Sequence, residues 1–335
     1  MTYVPLHVHS EYSLLDGLSQ ASQISKRLND IEIDTCALTD HGTVSGAVDF
    51  SRTLKNASQK QILGCEFYLS EKDSTEKTSE NRKLIHQVVL AKNLQGWKEI
   101  LGLVSQSNNA DQFYYKPRID FNQLREVASS GNLISFSGHL GSYLGNVALE
   151  NKSDKFICEA AHRLQNMFGR DNFFIEIQLI DSQNNESARI AAERLRDIAK
   201  QTGISCVATP DAHYPTREAA EDQQVLLCTS LKKTIGQVRQ ELKEGKSKSL
   251  SSFFASNNYH IPSYEDMKRF HTDEELDNTI KIASMCEQYN ILGAPNPPEF
   301  KSPTGYNPRE YLRHLCKVGW AEKMKHVQTN TEEFE

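Results

Sequence analysis

The chain has no run that approaches the roughly 18 to 20 consecutive apolar residues of a membrane-spanning helix. Its first residues, Met-Thr-Tyr-Val-Pro-Leu-His, show no basic stretch followed by an apolar one, so no export signal is expected there. There is no CxxC pair. The seven cysteines (Cys36, Cys65, Cys158, Cys206, Cys228, Cys286 and Cys316) are dispersed, and such an odd set reads as reduced thiols in a cytoplasm. Positive charge is also short: 38 Lys and Arg against 44 Asp and Glu leave a net charge of −6. That balance argues against a protein whose main task is to coat nucleic acid. Nucleic acid as a substrate stays open, because bound divalent cations supply local positive charge that a count of side chains misses. No internal repeat is present.

What the chain does contain is an alternating pattern. At 335 residues and 38% hydrophobic it is long enough for one large domain and an appendage. Short apolar or β-branched runs lie at 3–6, 33–38, 62–69, 84–91, 133–136, 173–179 and 204–208. Helical-period segments at about 20–28, 44–56, 94–106, 155–168, 186–201 and 218–231 separate them. Strand-then-helix alternation predicts parallel strands with crossover helices, and seven strands point to a barrel-like α/β fold. Stretches 70–83 and 243–252, poor in apolar residues, read as solvated loops. The predicted domain spans 1–290. After a helix near 273–288, a linker at 291–306 follows, and 293–305 holds four of the ten prolines. A last amphipathic helix near 308–324, in a connector at 307–335, has little left to pack on.

Six of the eleven histidines share one kind of position, at the ends of expected strands. They are His7, His9, His41, His86, His139 and His213. In a parallel α/β barrel the C-terminal strand ends converge on one face, so residues distant in sequence meet there. In extended chain, residues i and i+2 point the same way. His7-Val8-His9 and Asp211-Ala212-His213 therefore each present two ligands together. Glu66 and Asp16 add carboxylates able to bridge cations. A mixed set of imidazole and carboxylate suits Zn²⁺, Mn²⁺ or Fe²⁺ better than Ca²⁺ or Mg²⁺. These residues predict a hydrolytic multi-metal site with its substrate open. His162, His260, His271, His314 and His326 read as structural.

The strings Leu-His-Val-His-Ser-Glu-Tyr-Ser-Leu-Leu-Asp-Gly at 6–17, Ala-Leu-Thr-Asp-His-Gly at 37–42 and Ile-Leu-Gly-Cys-Glu at 62–66 go further. So do His-Gln-Val-Val-Leu-Ala-Lys-Asn at 86–93, Phe-Tyr-Tyr-Lys-Pro-Arg-Ile-Asp at 113–120, Asp-Ala-His-Tyr at 211–214 and the segment 222–234. Over about residues 1–290 the chain resembles the polymerase-and-histidinol-phosphatase (PHP) family, and most closely the PHP domain of bacterial DNA polymerase III alpha subunits. The resemblance implies a distorted seven-stranded (β/α)7 barrel holding two or three divalent metal ions (Zn²⁺ or Mn²⁺, Fe²⁺ being the alternative). Their nine ligands fall on His7, His9, Asp16, His41, Glu66, His86, His139, Asp211 and His213. Many polymerase relatives have Cys where this chain has His139, as free-standing phosphoesterases do.

That resemblance also implies an activity: a metal-dependent 3′–5′ exonuclease acting on DNA ends in replication, with His7, His9, Glu66, Asp211 and His213 central to catalysis. The alternatives are a pyrophosphatase, a non-catalytic scaffold that docks a proofreading subunit, or a histidinol-phosphate-type phosphatase. Expected partners are a replicative polymerase core and other replisome subunits; polymerisation by this chain alone is not expected. Arg118 is a candidate for holding the substrate phosphate, against a structural ion pair. Asp40 is a candidate to orient an imidazole. Tyr12, Tyr114 and Tyr115 are candidates to stack on a base, against core packing.

Overall fold

The computed structural model describes residues 2–244, 251–303 and 305–325. The chain divides into two compact units, Met1–Ile291 and Leu292–Glu335. The first is built on seven strands: β1 (Thr35–Leu38), β2 (Lys60–Ser70), β3 (Leu84–Ala91), β4 (Ile119–Asp120), β5 (Leu133–Phe136), β6 (Phe173–Ile177) and β7 (Cys206–Ala208). Their order is β1-β2-β3-β5-β6-β7, with β4 beside β2.

The segment ahead of β1 closes the curled sheet into a distorted barrel. On one side Ala37 N–H donates to the Pro5 carbonyl and Thr39 N–H to that of Val8, both at 2.9 Å. On the other, Ala212 N–H donates to the His7 carbonyl at 3.1 Å and His9 N–H to that of Ala212 at 2.8 Å. The run at 3–6 is thus part of the wall without being a regular strand. Val4 and Leu6 join the interior core, Val8 joins the outer one, and His7 and His9 take inward places, so the alternation slips at Leu6–His7. The two-residue β4 makes the seventh regular strand instead.

One expectation is corrected. β3 runs antiparallel to both β2 and β5, whereas β1–β2, β5–β6 and β6–β7 pair parallel. The reason lies in the connection: residues 71–83 contain one 3₁₀ turn, Glu80–Arg82, and no crossover helix, so the chain returns directly. The reversal leaves the site intact. His86, near the start of β3, pairs in register with Tyr68 near the end of β2, which places it at the same barrel mouth as the ends of the parallel strands.

Strand alternation separates two cores. Val4, Leu6, Ala37, Ile62, Val88, Leu90, Ile134, Phe136, Phe174 and Val207 fill the barrel, joined by Ile282, Ala283 and Cys286 from and just after the helix Asp273–Met285. Leu38, Leu63, Val89 and Leu133 point outward and pack under the helices. Emptying one inward position, for example Phe136→Ala, costs about 3–5 kcal/mol by transfer and cavity terms. Each inward row then ends in polar side chains: Ile62 leads by steps of two to Glu66, Leu90 and Val88 to His86, and Phe174 to Glu176. The sequence thus builds an apolar plug beneath a polar mouth.

The helices around the barrel start on side-chain caps. Ser153 accepts from Phe156 N–H at the head of Asp154–Phe168, and Asn185 from Ala188 N–H at the head of Glu186–Thr202. The 70–83 stretch is not simply solvated: Ser74 and Asn81 are buried in it. Of the 243–252 stretch, residues 245–250 lie outside the described residues, as does His326. In the second unit, Asn307 and Glu310 form a capping box on the helix Pro308–Met324, which has no buried residue. Among the described residues no helix is long and apolar enough to cross a membrane.

Candidate metal centre

All nine ligand candidates meet at the barrel mouth, in three linked groups. In the first, Glu66 Oε2 lies 3.4 Å from His7 Nε2 and 3.2 Å from His9 Nε2, and Asp211 Oδ1 lies 3.3 and 3.2 Å from the same two nitrogens. A tetrahedron of N and O donors around zinc at about 2.0–2.1 Å has edges of about 3.3–3.4 Å. In the second, Glu66 Oε1 is 2.8 Å from His86 Nδ1 and 3.0 Å from His139 Nε2. In the third, at the rim, Asp16 faces His41 Nε2 at 3.2 Å and His213 Nε2 at 3.8 Å. Glu66 joins all three groups, its Oε2 lying 2.7 Å from His41 Nδ1.

These short separations are mostly not hydrogen bonds. His7 Nε2, His9 Nε2, Asp16 Oδ1, His41 Nδ1, Glu66 Oε2 and Asp211 Oδ1 are all buried without a hydrogen-bond partner. A buried polar atom left unpaired costs about 1–3 kcal/mol, so six in one cluster is an expensive arrangement. Their lone pairs converge on common points, which is what shared cations require. The donor set fits the group, and three triplets have donor atoms mutually within 4.8 Å: His9/His41/His213, His7/His9/Asp211 and His41/Glu66/His86.

Outer contacts fix which nitrogen faces inward. His7 Nδ1–H donates to Glu176 Oε1 at 2.7 Å, leaving Nε2 as the inward lone pair. Glu176 is itself held by Gln178 Nε2 at 3.1 Å and by the Thr209 hydroxyl. The motif reading missed this residue, although an acid inside Phe-Phe-Ile-Glu-Ile was a visible signal. His213 Nδ1–H donates to the Asp211 carbonyl at 2.9 Å. Asp40 reaches an imidazole through a relay: it accepts from Ser10 N–H, Ser10 Oγ and Ser13 Oγ, and Ser13 Oγ in turn accepts from His9 Nδ1–H at 3.1 Å. The ring it orients is that of His9. His139 is set differently, because its Nδ1 accepts from Gly141 N–H at 2.9 Å. In the neutral ring Nε2 then carries the proton, and ligation through Nε2 requires giving up the Gly141 contact.

The charges are strongly coupled. Burial would raise the Glu66 carboxyl, but His86, His41, His7 and His139 outweigh it and hold it well below the ordinary range. Burial would lower His41, yet Glu66 and Asp16 push it up to about 10. For His86 and His213 burial prevails over the neighbouring carboxylates, and both fall to about 4. Without cations the cluster shares protons; cations displace them.

The backbone is strained around this mouth. Leu15, Tyr115 and Asp211 adopt φ of 64°, 63° and 50°. Such conformations cost on the order of 1–3 kcal/mol each and persist only where surroundings impose them. Gly42, with φ of 60°, admits no side chain, since a Cβ there would lie 2.9 Å from Pro117 and 3.1 Å from Tyr68.

Arg118 is corrected. It is fully buried, and its guanidinium donates to the carbonyls of Ser74, Gln112, Asn81 and Glu76 at 2.7–3.1 Å. It braces the loops that the apolar-poor 70–83 stretch needs in order to fold, and it stands apart from the donor cluster. Of the tyrosines, Tyr12 and Tyr115 line the cavity at the mouth, whereas Tyr114 lies against Arg118. His271 is buried between the carbonyls of Met267 and Ile177, as a structural residue is.

Residues 5–179 match the family model described as "PHP domain". DNA polymerase III subunit alpha of Borreliella burgdorferi is 32% identical over 331 residues, covering 97% of this chain and 27% of that one. The Treponema pallidum protein of the same name is 32% identical over 324 residues, covering 95% and 26%. The chain thus spans about a quarter of the length of the curated relatives it matches. Among solved structures, an amidohydrolase from Chromobacterium violaceum aligns with 14% identity and a TM-score of 0.42, over 64% of this chain and 88% of that one.

Proposed function

The chain belongs to the PHP domain family, and from that premise we propose that its barrel mouth holds two or three divalent ions and hydrolyses phosphodiesters, acting as a 3′–5′ exonuclease on DNA ends. The observation that carries this reading is the set of buried donor atoms without partners, at separations suited to a metal cage. The substrate follows from the relatives, which are named DNA polymerase III subunit alpha. Zn²⁺, Mn²⁺ or Fe²⁺ match a set of imidazoles and carboxylates.

When bound, such ions polarise a phosphoryl oxygen and lower the pKa of an attacking water. The chain's own part is to hold geometry and to keep water out from below. Glu66 is the pivot, since its two oxygens reach different histidine groups. Glu176 and the Ser13–Asp40 pair lock the tautomers of His7 and His9. Asp211, fixed in a left-handed turn, faces His7 and His9 across the first group while its carbonyl orients His213. The plug formed by Phe136, Phe174 and Val207 seals the barrel beneath them.

A pyrophosphatase needs room for two phosphoryl groups only. The cavity here is ≈ 590 Å³ and includes Asp16 and His41 in its lining. That volume falls in the roughly 300–1,000 Å³ range of sites for larger organic ligands, which favours a nucleotide. The test incubates the metal-loaded chain with 5′-labelled single-stranded DNA, pyrophosphate and histidinol phosphate, beside Asp211→Ala and His9→Ala. Shortening of the DNA from its 3′ end, lost in both variants and with chelator, is expected. Turnover of pyrophosphate alone, or of nothing despite stoichiometric metal, overturns the exonuclease reading.

A further inference from the structure

The cavity beside the donor cluster has a chemical character of its own. It is lined by Asp16 and His41 on the metal side, and by Tyr12, Tyr68, Tyr115 and Lys116 on the other. Among the described lining residues Lys116 is the one lysine or arginine, and no carboxylate forms an ion pair with it. Its Nζ lies 4.2 Å above the Tyr68 ring and donates to the Tyr68 hydroxyl at 2.8 Å. Tyr68 in turn stacks on His41, with ring centroids 5.9 Å apart, and meets His86 edge-on at 5.0 Å. One aromatic ring therefore separates the ammonium from two metal-ligand candidates.

Beside Lys116 the lining carries exposed apolar side chains. Tyr115 is 65% exposed and Leu14 81%, so both side chains are open to a ligand at the mouth. Tyr115 also holds a positive φ of 63°, rare for a bulky residue and costly to maintain. The fold holds it there. Arg82 lies 4.2 Å from the Tyr115 ring centroid, Tyr114 packs edge-on at 4.6 Å, and Arg118 ties the loop down from beneath. A strained loop thus presents an aromatic face and a cation side by side at the mouth.

We propose that this cavity seats the terminal nucleotide of a single-stranded nucleic acid, with Lys116 contacting the backbone phosphate and Tyr115 stacking on the base. This rests on the phosphodiesterase reading above and adds the residues that recognise the substrate. Lys116 takes the phosphate-holding part that the Tyr-Lys-Pro-Arg motif had suggested for Arg118, and Arg118 becomes the brace beneath it. Stacking on an exposed tyrosine accepts any base, so the cavity reads chain ends without reading sequence.

Equilibrium binding tests this apart from turnover. Fluorescence anisotropy of the full chain loaded with Mn²⁺ is measured with a 5′-fluorescein thymidine octamer of phosphorothioate linkages, and with an abasic octamer. Lys116→Gln is expected to weaken both about tenfold, and to make the slope of log affinity against log salt shallower by about 0.7, the increment of one phosphate contact on a single strand. Lys116→Arg should keep the wild-type slope. Tyr115→Ala is expected to weaken the thymidine octamer about tenfold, with its slope unchanged and the abasic octamer little affected. Thermal unfolding of each variant confirms that it is folded. An unchanged salt slope in Lys116→Gln, or equal losses on both octamers in Tyr115→Ala, overturns the proposal. If wild type shortens DNA while these variants bind like it, only the cavity assignment falls. If wild type binds neither octamer, the exonuclease reading falls with it.

Discussion

Arg118→Ala separates a brace from a substrate contact. The guanidinium is fully buried and donates to four backbone carbonyls, three of them in residues 74–81 and one at Gln112. A hydrogen bond to a charged group contributes about 1.5–3 kcal/mol, and an acceptor left dry and unpaired costs about 1–3 kcal/mol. Simple addition would overshoot, because the loops can open and admit water once the side chain is gone. Single substitutions rarely exceed about 4–5 kcal/mol, so a loss of about 4 kcal/mol is expected. For a domain of this size that lowers Tm by roughly 8–16 °C, at about 2–4 °C per kcal/mol. Urea and thermal unfolding of the full chain measure it. Arg118→Lys, with a single ammonium, cannot reach all four carbonyls and should recover at most about half of the loss. A variant within about 1 kcal/mol of wild type, with KM for DNA raised and kcat unchanged, would refute the brace and restore the phosphate contact.

Three further outcomes are expected. Glu176→Gln frees the His7 ring to choose its tautomer and should weaken metal binding about 10- to 100-fold by titration calorimetry, with little change in metal-free stability; unchanged affinity would remove Glu176 from the site. Gly42→Ala forces a Cβ to 2.9 Å from Pro117 at a φ of 60° and should cost more than about 1 kcal/mol in urea unfolding, an unchanged midpoint being the contrary result. His260, facing Arg217, Asp266 and Arg27, has a folded pKa lowered to about 4 by burial and by the Arg217 charge. Because the folded value lies below the unfolded one, its contribution is present above about pH 6.5 and is lost as pH falls toward 4, by up to about 3 kcal/mol. Comparing unfolding of His260→Gln and wild type across that window should show a shallower slope in the variant; parallel curves would refute it.

How much of this was legible in the sequence depended on the range of the interaction. The long helices were readable from their period: 94–107, 186–202 and 308–324 lie within a residue or so of where the pattern put them. The helices Phe121–Ala128 and Tyr143–Leu149 span too few turns for a 3.6 period to stand out. The reversal of β3 was hidden because an apolar strand reads the same in both directions; only its connection, a polar stretch without a helix, carried the information. The ligand position survived that error because the reversal itself carries the start of β3 to the mouth: His86, near the start of its strand, stands opposite Tyr68, near the end of β2.

Charge was the harder thing to read. Arg118 and Lys116 stand two residues apart in one motif, and both carry a positive charge. Nothing local says that one is turned inward to carbonyls contributed by residues 74–81, because those contacts reach back about forty positions, to a stretch with almost no apolar residue. That same stretch explains the arrangement. A loop without a hydrophobic anchor needs a polar one, and a planar group with five donors ties several carbonyls at once where a lysine ties fewer. The motif therefore divides its two charges by geometry: the fork goes where many acceptors converge, and the ammonium remains at the mouth, one ring away from His41 and His86.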